Sequence, residues 1–308
     1  MTQTPLDLSG LSSIQDLSPR FYTYAGYQCA YTQLVPDAAA VSPLLLIHPI
    51  GVGLSRHFWD RFCLEWQRSG LQNAIYNPDL LGCGDSEMPH VACTPMDWAR
   101  QLQVFLREVV QQPAVILVQG ALAPVAIDLV QLQPDLVRGL VLSGPPAWAL
   151  MSRETASWGH RLSWNLFDSP LGTAFYRYAR RSQFLQSFSI RQLFADAAAV
   201  DPEWLNQLQD GAKDPASRYA VFSFLAGFWR QDYRAKIAAI AQPTLILVGE
   251  QASSISREGK QETPDERIAD YLNCLPNGQS AKIPGRNVLS YESTTAFVAA
   301  VKPFIASL

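Results

Sequence analysis

The chain has 308 residues, 48% of them hydrophobic and 17% charged, enough for one large domain or for a core carrying an insertion. A formal net charge of −3 leaves no basic footprint for nucleic acid. Five scattered cysteines (Cys29, Cys63, Cys83, Cys93 and Cys274) include no C-x-x-C pair, so neither a disulfide framework nor a zinc or other metal site is indicated.

Nothing in the composition calls for a cofactor, and buried reduced thiols in a cytoplasmic protein are the expectation. The first residues, Met1 to Asp7, lack the basic and apolar regions of a signal peptide. No run approaches the ~18–20 apolar residues of a transmembrane segment. Residues 1–19 read as a loose polar arm.

From Arg20 to Tyr31 two short strands flank Gly26, and Pro43–Ile47 reads as a buried strand running into the turn-rich His48-Pro49-Ile50-Gly51. A helix from Phe58 to Ser69 places Phe58, Phe62 and Trp66 on one face. Ala74–Asn77 is a further strand, and a helix from Pro95 to Val110 turns Trp98, Leu102, Phe105 and Val109 inward. Ala114–Gln119 is a buried strand, Gly120–Ala123 a tight turn of small residues, and Pro124–Gln133 an apolar helix. Strand, sharp turn and helix form the frame of a nucleophile elbow. Val137–Ser143 closes the first half of an alternating pattern that predicts a doubly wound, mostly parallel sheet.

From about Ala147 to Ile237 the strands stop and aromatic-rich helical patterns take over. Pro243–Val248 resumes the sheet, Asp265–Leu275 is a helix, Gln279–Pro284 the last strand and Glu292–Leu308 a terminal helix. The expected organisation is a core of residues 1–146 and 238–308 with a helical cap of 147–237 inserted between two strands.

This arrangement resembles the α/β-hydrolase superfamily, in the branch with a helical cap, from about Arg20 onwards. His48-Pro49-Ile50-Gly51 is similar to the family's His-Gly oxyanion loop, with Pro49 in place of the glycine. Asp79-Leu80-Leu81-Gly82-Cys83-Gly84-Asp85-Ser86 matches its Asp-x-x-Gly-x-Gly-x-Ser turn, and Pro243 to Glu250 matches the strand leading to the triad acid. The resemblance implies the α/β-hydrolase fold. It also implies a nucleophile, an acid and a histidine in that order, and here those positions fall on Ala121, Ala252 and Asn287. Arg286 takes the histidine position if one residue is deleted upstream, and no histidine follows His160. Gln119 stands where the family uses a small residue. The family's oxyanion donors map to the backbone amides of Ile50 and Leu122, beside a helix N-terminus able to hold an anionic oxygen.

Other reactive residues have plainer readings. His48 is expected to brace its turn, His57 to be partly exposed, and Asp79 and Asp85 to accept turn hydrogen bonds. Cys83 has no adjacent His or Lys to lower its pKa. Arg177, Arg180, Arg181 and Arg191, with Tyr176 and Tyr178, form either a solvated helix face or a peripheral contact with anionic lipid headgroups.

The function read from these residues is non-hydrolytic binding of an apolar or amphiphilic small molecule between sheet and cap. The expected pocket includes His48, Gln119, Trp148 and Arg286, with Asn165, Gln183 and Gln186 as polar contacts on the cap. A hydrolase or lyase using Asn287, Arg286 or His48 is the alternative, and a scaffold or assembly factor with an empty site is a further one.

Overall fold

Three runs in this chain, Leu44–Ile47, Ala114–Gln119 and Thr244–Gly249, are buried along their whole length, as strands covered by helices on both faces must be. A computed structural model of the chain describes residues 18–36, 41–154 and 157–308. The expected N-terminal arm lies, up to residue 17, outside these residues.

Eight strands form one sheet: β1 (Arg20–Tyr24), β2 (Tyr27–Leu34), β3 (Leu44–Ile47), β4 (Ile75–Pro78), β5 (Ala114–Gln119), β6 (Val137–Ser143), β7 (Thr244–Gly249) and β8 (Gly278–Ile283). Their spatial order is β1-β2-β4-β3-β5-β6-β7-β8. The β1–β2 hairpin pairs antiparallel with itself and, through β2, with β4, whereas every other neighbour is parallel. The order reverses between β3 and β5, so the loops leaving their carboxyl ends border the crevice where open α/β sheets bind ligands.

Alternate residues of the central strands feed two separate cores. Leu45, Ile47, Ile116, Val118, Leu140, Leu142, Ile246 and Val248 face one side. Leu44, Leu46, Val115, Leu117, Val141, Leu245 and Leu247 face the other. The helices divide accordingly. Alpha-helices α1 (Asp60–Arg68), α2 (Pro95–Phe105) and α3 (Ala123–Leu132) precede β6. Trp98, Leu102 and Phe105 of α2 join Val125, Ile127 and Leu129 of α3 on the first face, while Phe62 and Trp66 of α1 lie on the second. Phe58 also packs there, from the 3₁₀ turn that precedes α1.

Between β6 and β7 the described residues form α4 (Trp148–Met151), α5 (Ser157–Phe167), α6 (Pro170–Ala179), α7 (Ser182–Phe188), α8 (Pro202–Gly211), α9 (Arg218–Leu225) and α10 (Arg234–Ala238). These helices pack in three ways. Leu150, Met151 and Ile237 join the first core, and Lys236 fastens α10 to the buried Asp128 of α3 at 2.6 Å. Leu185, Phe194, Trp204 and Leu208 join the second core. Tyr176, Val221 and Phe222 make a small cluster of their own.

After β7 come α11 (Pro264–Cys274), α12 (Leu289–Glu292) and α13 (Thr294–Ala306). The terminal helix expected over Glu292–Leu308 is α13, with the short α12 preceding it, and its Phe297, Val301, Phe304 and Ile305 are buried against the second face as expected. Among the described residues no helix is long and apolar enough to cross a membrane.

Candidate functional site at the carboxyl end of the sheet

The elbow is built by β5 running into α3 through a single 3₁₀ turn, Gly120–Leu122. Backbone reversal here needs one residue in the left-handed region, which costs an L-residue about 1–2 kcal/mol and glycine almost nothing. That residue is Gly120, with φ +66°. Ala121, which the family resemblance places at the nucleophile position, is not among the residues with positive φ. The turn offers one glycine, and the strain settles on it. A Cβ placed on Gly120 would meet no atom within 4 Å. Gly120 and Ala121 are both half-buried, while the Leu122 and Ile50 side chains are buried.

Gln119, the last residue of β5, is 1% exposed and fully engaged. The Ser143 hydroxyl donates to its Oε1 at 2.7 Å, and its Nε2 donates to the Asn287 carbonyl at 2.7 Å. Asn287 is engaged on every side. Its Nδ2 donates to the Gln192 carbonyl at 2.7 Å and to the Ser253 carbonyl at 3.0 Å. Its Oδ1 accepts from the Ser253 amide at 3.4 Å, and its own amide donates to the Leu193 carbonyl at 3.0 Å. Ala252, next to Ser253, is buried. The structure therefore brings the elbow, the loop after β7 and the loop after β8 to one place, and joins them by amides and hydroxyls.

The remaining polar candidates are engaged by backbone groups or by charged side chains of the protein itself. His48 is fully buried, its Nε2 accepting from the Leu80 amide at 3.1 Å and its Nδ1 lying 2.7 Å from the Pro49 carbonyl. That pattern places the proton on Nδ1, and burial pushes the imidazole pKa down. Asp79 accepts from the Arg56 and Asp85 amides at 2.8 and 2.9 Å and pairs with the Arg56 guanidinium. Arg56 also reaches Asp85 at 2.6 Å. Burial drives the Cys83 thiol well above its ordinary pKa, away from the reactive thiolate. His57 is about half exposed and pairs with Asp60 at 2.9 Å.

Arg286 donates from its amide to Glu292 at 2.8 Å and from its guanidinium to the Arg191 carbonyl at 2.9 Å. Its Nε is buried with no partner among the described residues. The Trp148 amide donates to Glu262 at 2.7 Å, and its ring meets Tyr271 edge-on at 5.1 Å. Glu262 in turn pairs with the buried Arg267 at 2.6 Å, which fixes the corner where β6 gives way to α4.

Sequence reasoning did not single out Gly120, Ser143, Gln192, Ser253, Glu262 or Glu292 for these roles. Only Gly120 left a local trace, as the sole glycine of a turn that needs positive φ. Among the described residues no group of three or more His, Cys, Asp or Glu side chains is placed to hold a metal ion.

Solved structures of the same shape are numerous. A serine hydrolase involved in carbazole degradation (the CarC enzyme) superposes with TM-score 0.71 at 18% identity, covering 94% of this chain and 99% of that one. A malate-bound thermophilic esterase from Thermogutta terrifontis gives 0.71 at 19% identity, covering 94% and 98%. The enol-lactonase of Burkholderia xenovorans LB400 gives 0.69 at 14% identity, covering 93% and 100%. No curated protein matches the sequence. The family model described as the alpha/beta hydrolase family matches residues 44–300, a span from β3 into α13 that contains every loop around the elbow, and this chain belongs to that family.

Proposed function

We propose that this protein is a non-hydrolytic binder of an apolar or amphiphilic small molecule. The ligand would lie between the carboxyl ends of β3, β5 and β7 and the helices after β6, which act as a cap. The observation that carries this reading is the turn at Gly120. A side-chain carbon added there would meet nothing within 4 Å, so room is left where a nucleophile would project. The polar side chains Gln119, Asn287 and His48 are meanwhile spent on the protein's own groups.

In this family the nucleophile sits on the strained residue of the elbow, and the next amide is an oxyanion donor. By that rule Gly120 stands at the nucleophile position first assigned to Ala121, and the Ala121 amide joins Ile50 in place of Leu122. Ala252 and Asn287 stand for the acid and the base. No residue in this set can attack a carbonyl and shuttle its proton. Two amides and a helix N-terminus still suit a ligand carbonyl or carboxylate.

The second reading is an enzyme with altered catalytic groups, a hydrolase or a lyase. It is favoured by the Nε of Arg286, which has no partner among the described residues, and by the names of the structural neighbours, a serine hydrolase, an esterase and a lactonase.

Solvent extraction of the purified protein followed by mass spectrometry tests the first reading. A stoichiometric apolar molecule is expected, and Gly120→Phe, which puts a ring into the open space beside the turn, is expected to abolish its retention while the protein stays folded. Retention unchanged in that variant would show a filled structural corner. Turnover of short activated esters or lactones above a protein blank, lost in Arg286→Met, would establish the second reading instead.

A further inference from the structure

We propose that the outward face of α5 and α6 is a docking surface for anionic phospholipid bilayers. This surface is separate from the elbow and from whatever binds there.

Both helices lay their inner faces on α9. Trp164 and Phe167 of α5 approach Tyr219 and Phe222, and Tyr176 of α6 meets Phe222 edge-on at 5.9 Å. The two helices also touch each other: a Cβ on Gly172 would fall 1.7 Å from the Phe167 carbonyl oxygen, so only glycine permits this approach. Their outer faces therefore turn away from α9 together.

Those outer faces are apolar. Trp158, Leu162 and Leu166 repeat at i, i+4 and i+8 along α5, and Leu171, Phe175 and Tyr178 at i, i+4 and i+7 along α6. All six are exposed, Trp158 at 72% and Leu171 at 73%. Single exposed apolar residues are ordinary, but six on two adjoining helices mark a surface with a partner.

Charge identifies the partner. From α5 to Leu193 the chain carries five arginines (Arg161, Arg177, Arg180, Arg181 and Arg191) against one carboxylate, Asp168, which is hydrogen-bonded to His90 at 2.8 Å. This segment is thus at +4 within a chain of net charge −3. Arg161 and Arg177 are exposed and flank the apolar stripes, and Arg181 lies over the Tyr178 ring at 5.7 Å. Beside the stripe on α6 a recess of about 390 Å³ is lined by Arg177, Arg180 and Arg218.

Apolar side chains with Trp and Tyr among them, rimmed by long cations, match the layering of a membrane interface. The recess offers guanidinium groups to phosphate. A second copy of this chain is a poor occupant, because a two-fold contact would set each arginine cluster against its own image.

The test is co-sedimentation of the full chain with vesicles of phosphatidylcholine alone or with about one-third phosphatidylglycerol. Partitioning onto the anionic vesicles is expected to exceed that onto neutral ones about tenfold or more, and to fall as salt is raised towards ~0.5 M. Two double variants separate the contributions. Trp158→Glu with Leu171→Glu removes apolar insertion, and Arg177→Glu with Arg181→Glu removes headgroup attraction. Each is expected to weaken partitioning about tenfold or more with an unchanged unfolding midpoint, since the altered side chains are exposed. The proposal is overturned if the wild type stays in solution with anionic vesicles, or if either double variant binds them as well as the wild type. It is also overturned if sedimentation velocity shows a dimer that only the Trp158/Leu171 variant dissolves while neither protein binds vesicles.

Discussion

The side-chain amide of Gln119 donates to the main-chain carbonyl of Asn287 at 2.7 Å, across 168 residues of sequence. Gln119 thereby ties the elbow to the loop after β8, while its other end receives the Ser143 hydroxyl from β6. Gln119→Leu keeps the volume but leaves that hydroxyl and that carbonyl without partners. Unsatisfied buried groups cost about 1–3 kcal/mol, so urea unfolding is expected to show a loss in this range. Unchanged stability would mean that water replaces both bonds.

The assignment of the strained residue is open to a paired measurement. Gly120→Ala is expected to destabilise by about 1–2 kcal/mol through its positive φ alone, since the added methyl meets open space. Gly120→Asn should cost less. Ala121→Gly should destabilise by up to about 1 kcal/mol, because it only loosens the unfolded chain. A stabilising Ala121→Gly would return the strain to Ala121.

His48 sets the direction of an acid limb. Its folded pKa lies below the usual imidazole value of 6.5 because burial disfavours the cation. The unfolded chain therefore binds the proton first, and the contribution of His48 to stability is complete above pH 6.5 and declines as pH falls below it. A single such group steepens the limb by up to about 1.4 kcal/mol per pH unit. His57, raised by its hydrogen bond with Asp60, acts in the opposite sense and strengthens the fold as it protonates. Unfolding curves at several pH values, on His57→Ala and on the same protein with His48→Gln added, are expected to show the steeper loss of stability with falling pH in the former; His160, also lowered by burial, keeps a slope of the same sign in both. Equal slopes would place the titrating group elsewhere.

Trp204 lies between β6 and β7 in sequence yet belongs to the second core of the sheet. It is fully buried, with ring centroids 5.1 Å from Phe194, 4.8 Å from Tyr291 and 6.3 Å from Phe58. Trp204→Ala is expected to cost about 3–5 kcal/mol, the range for emptying a core aromatic site. Excision of residues 147–237 would uncover the same aromatic faces and is expected to give an aggregating protein. A loss under about 1 kcal/mol in Trp204→Ala would show that the helical segment rests lightly on the sheet.

The sheet was legible because its central strands are short, apolar on both faces and bounded by turns. Those signals are local. The elbow was legible as strand, turn and helix, and its strained position only as the single glycine of that turn, Gly120. The partners of Asn287 could not be read, since Gln119, Gln192 and Ser253 are distant in sequence and meet only after folding. The aromatic stretch after Pro146 was legible as helix but not as packing. Trp204 points into a core and Trp158 into solvent, and their local patterns look alike.

The joint between the elbow and its neighbouring loops consists of Gln119, Ser143, Asn287 and the Ser253 backbone. Amides and hydroxyls of this kind hold neutral form throughout the range in which proteins stay folded. A histidine and a carboxylate at the same joint would change charge within that range and remake their bonds each time. The bonds between elbow and loops are thus indifferent to acidity and keep one arrangement in a weakly acid and a weakly alkaline medium, while the stability of the surrounding fold still bends at His48.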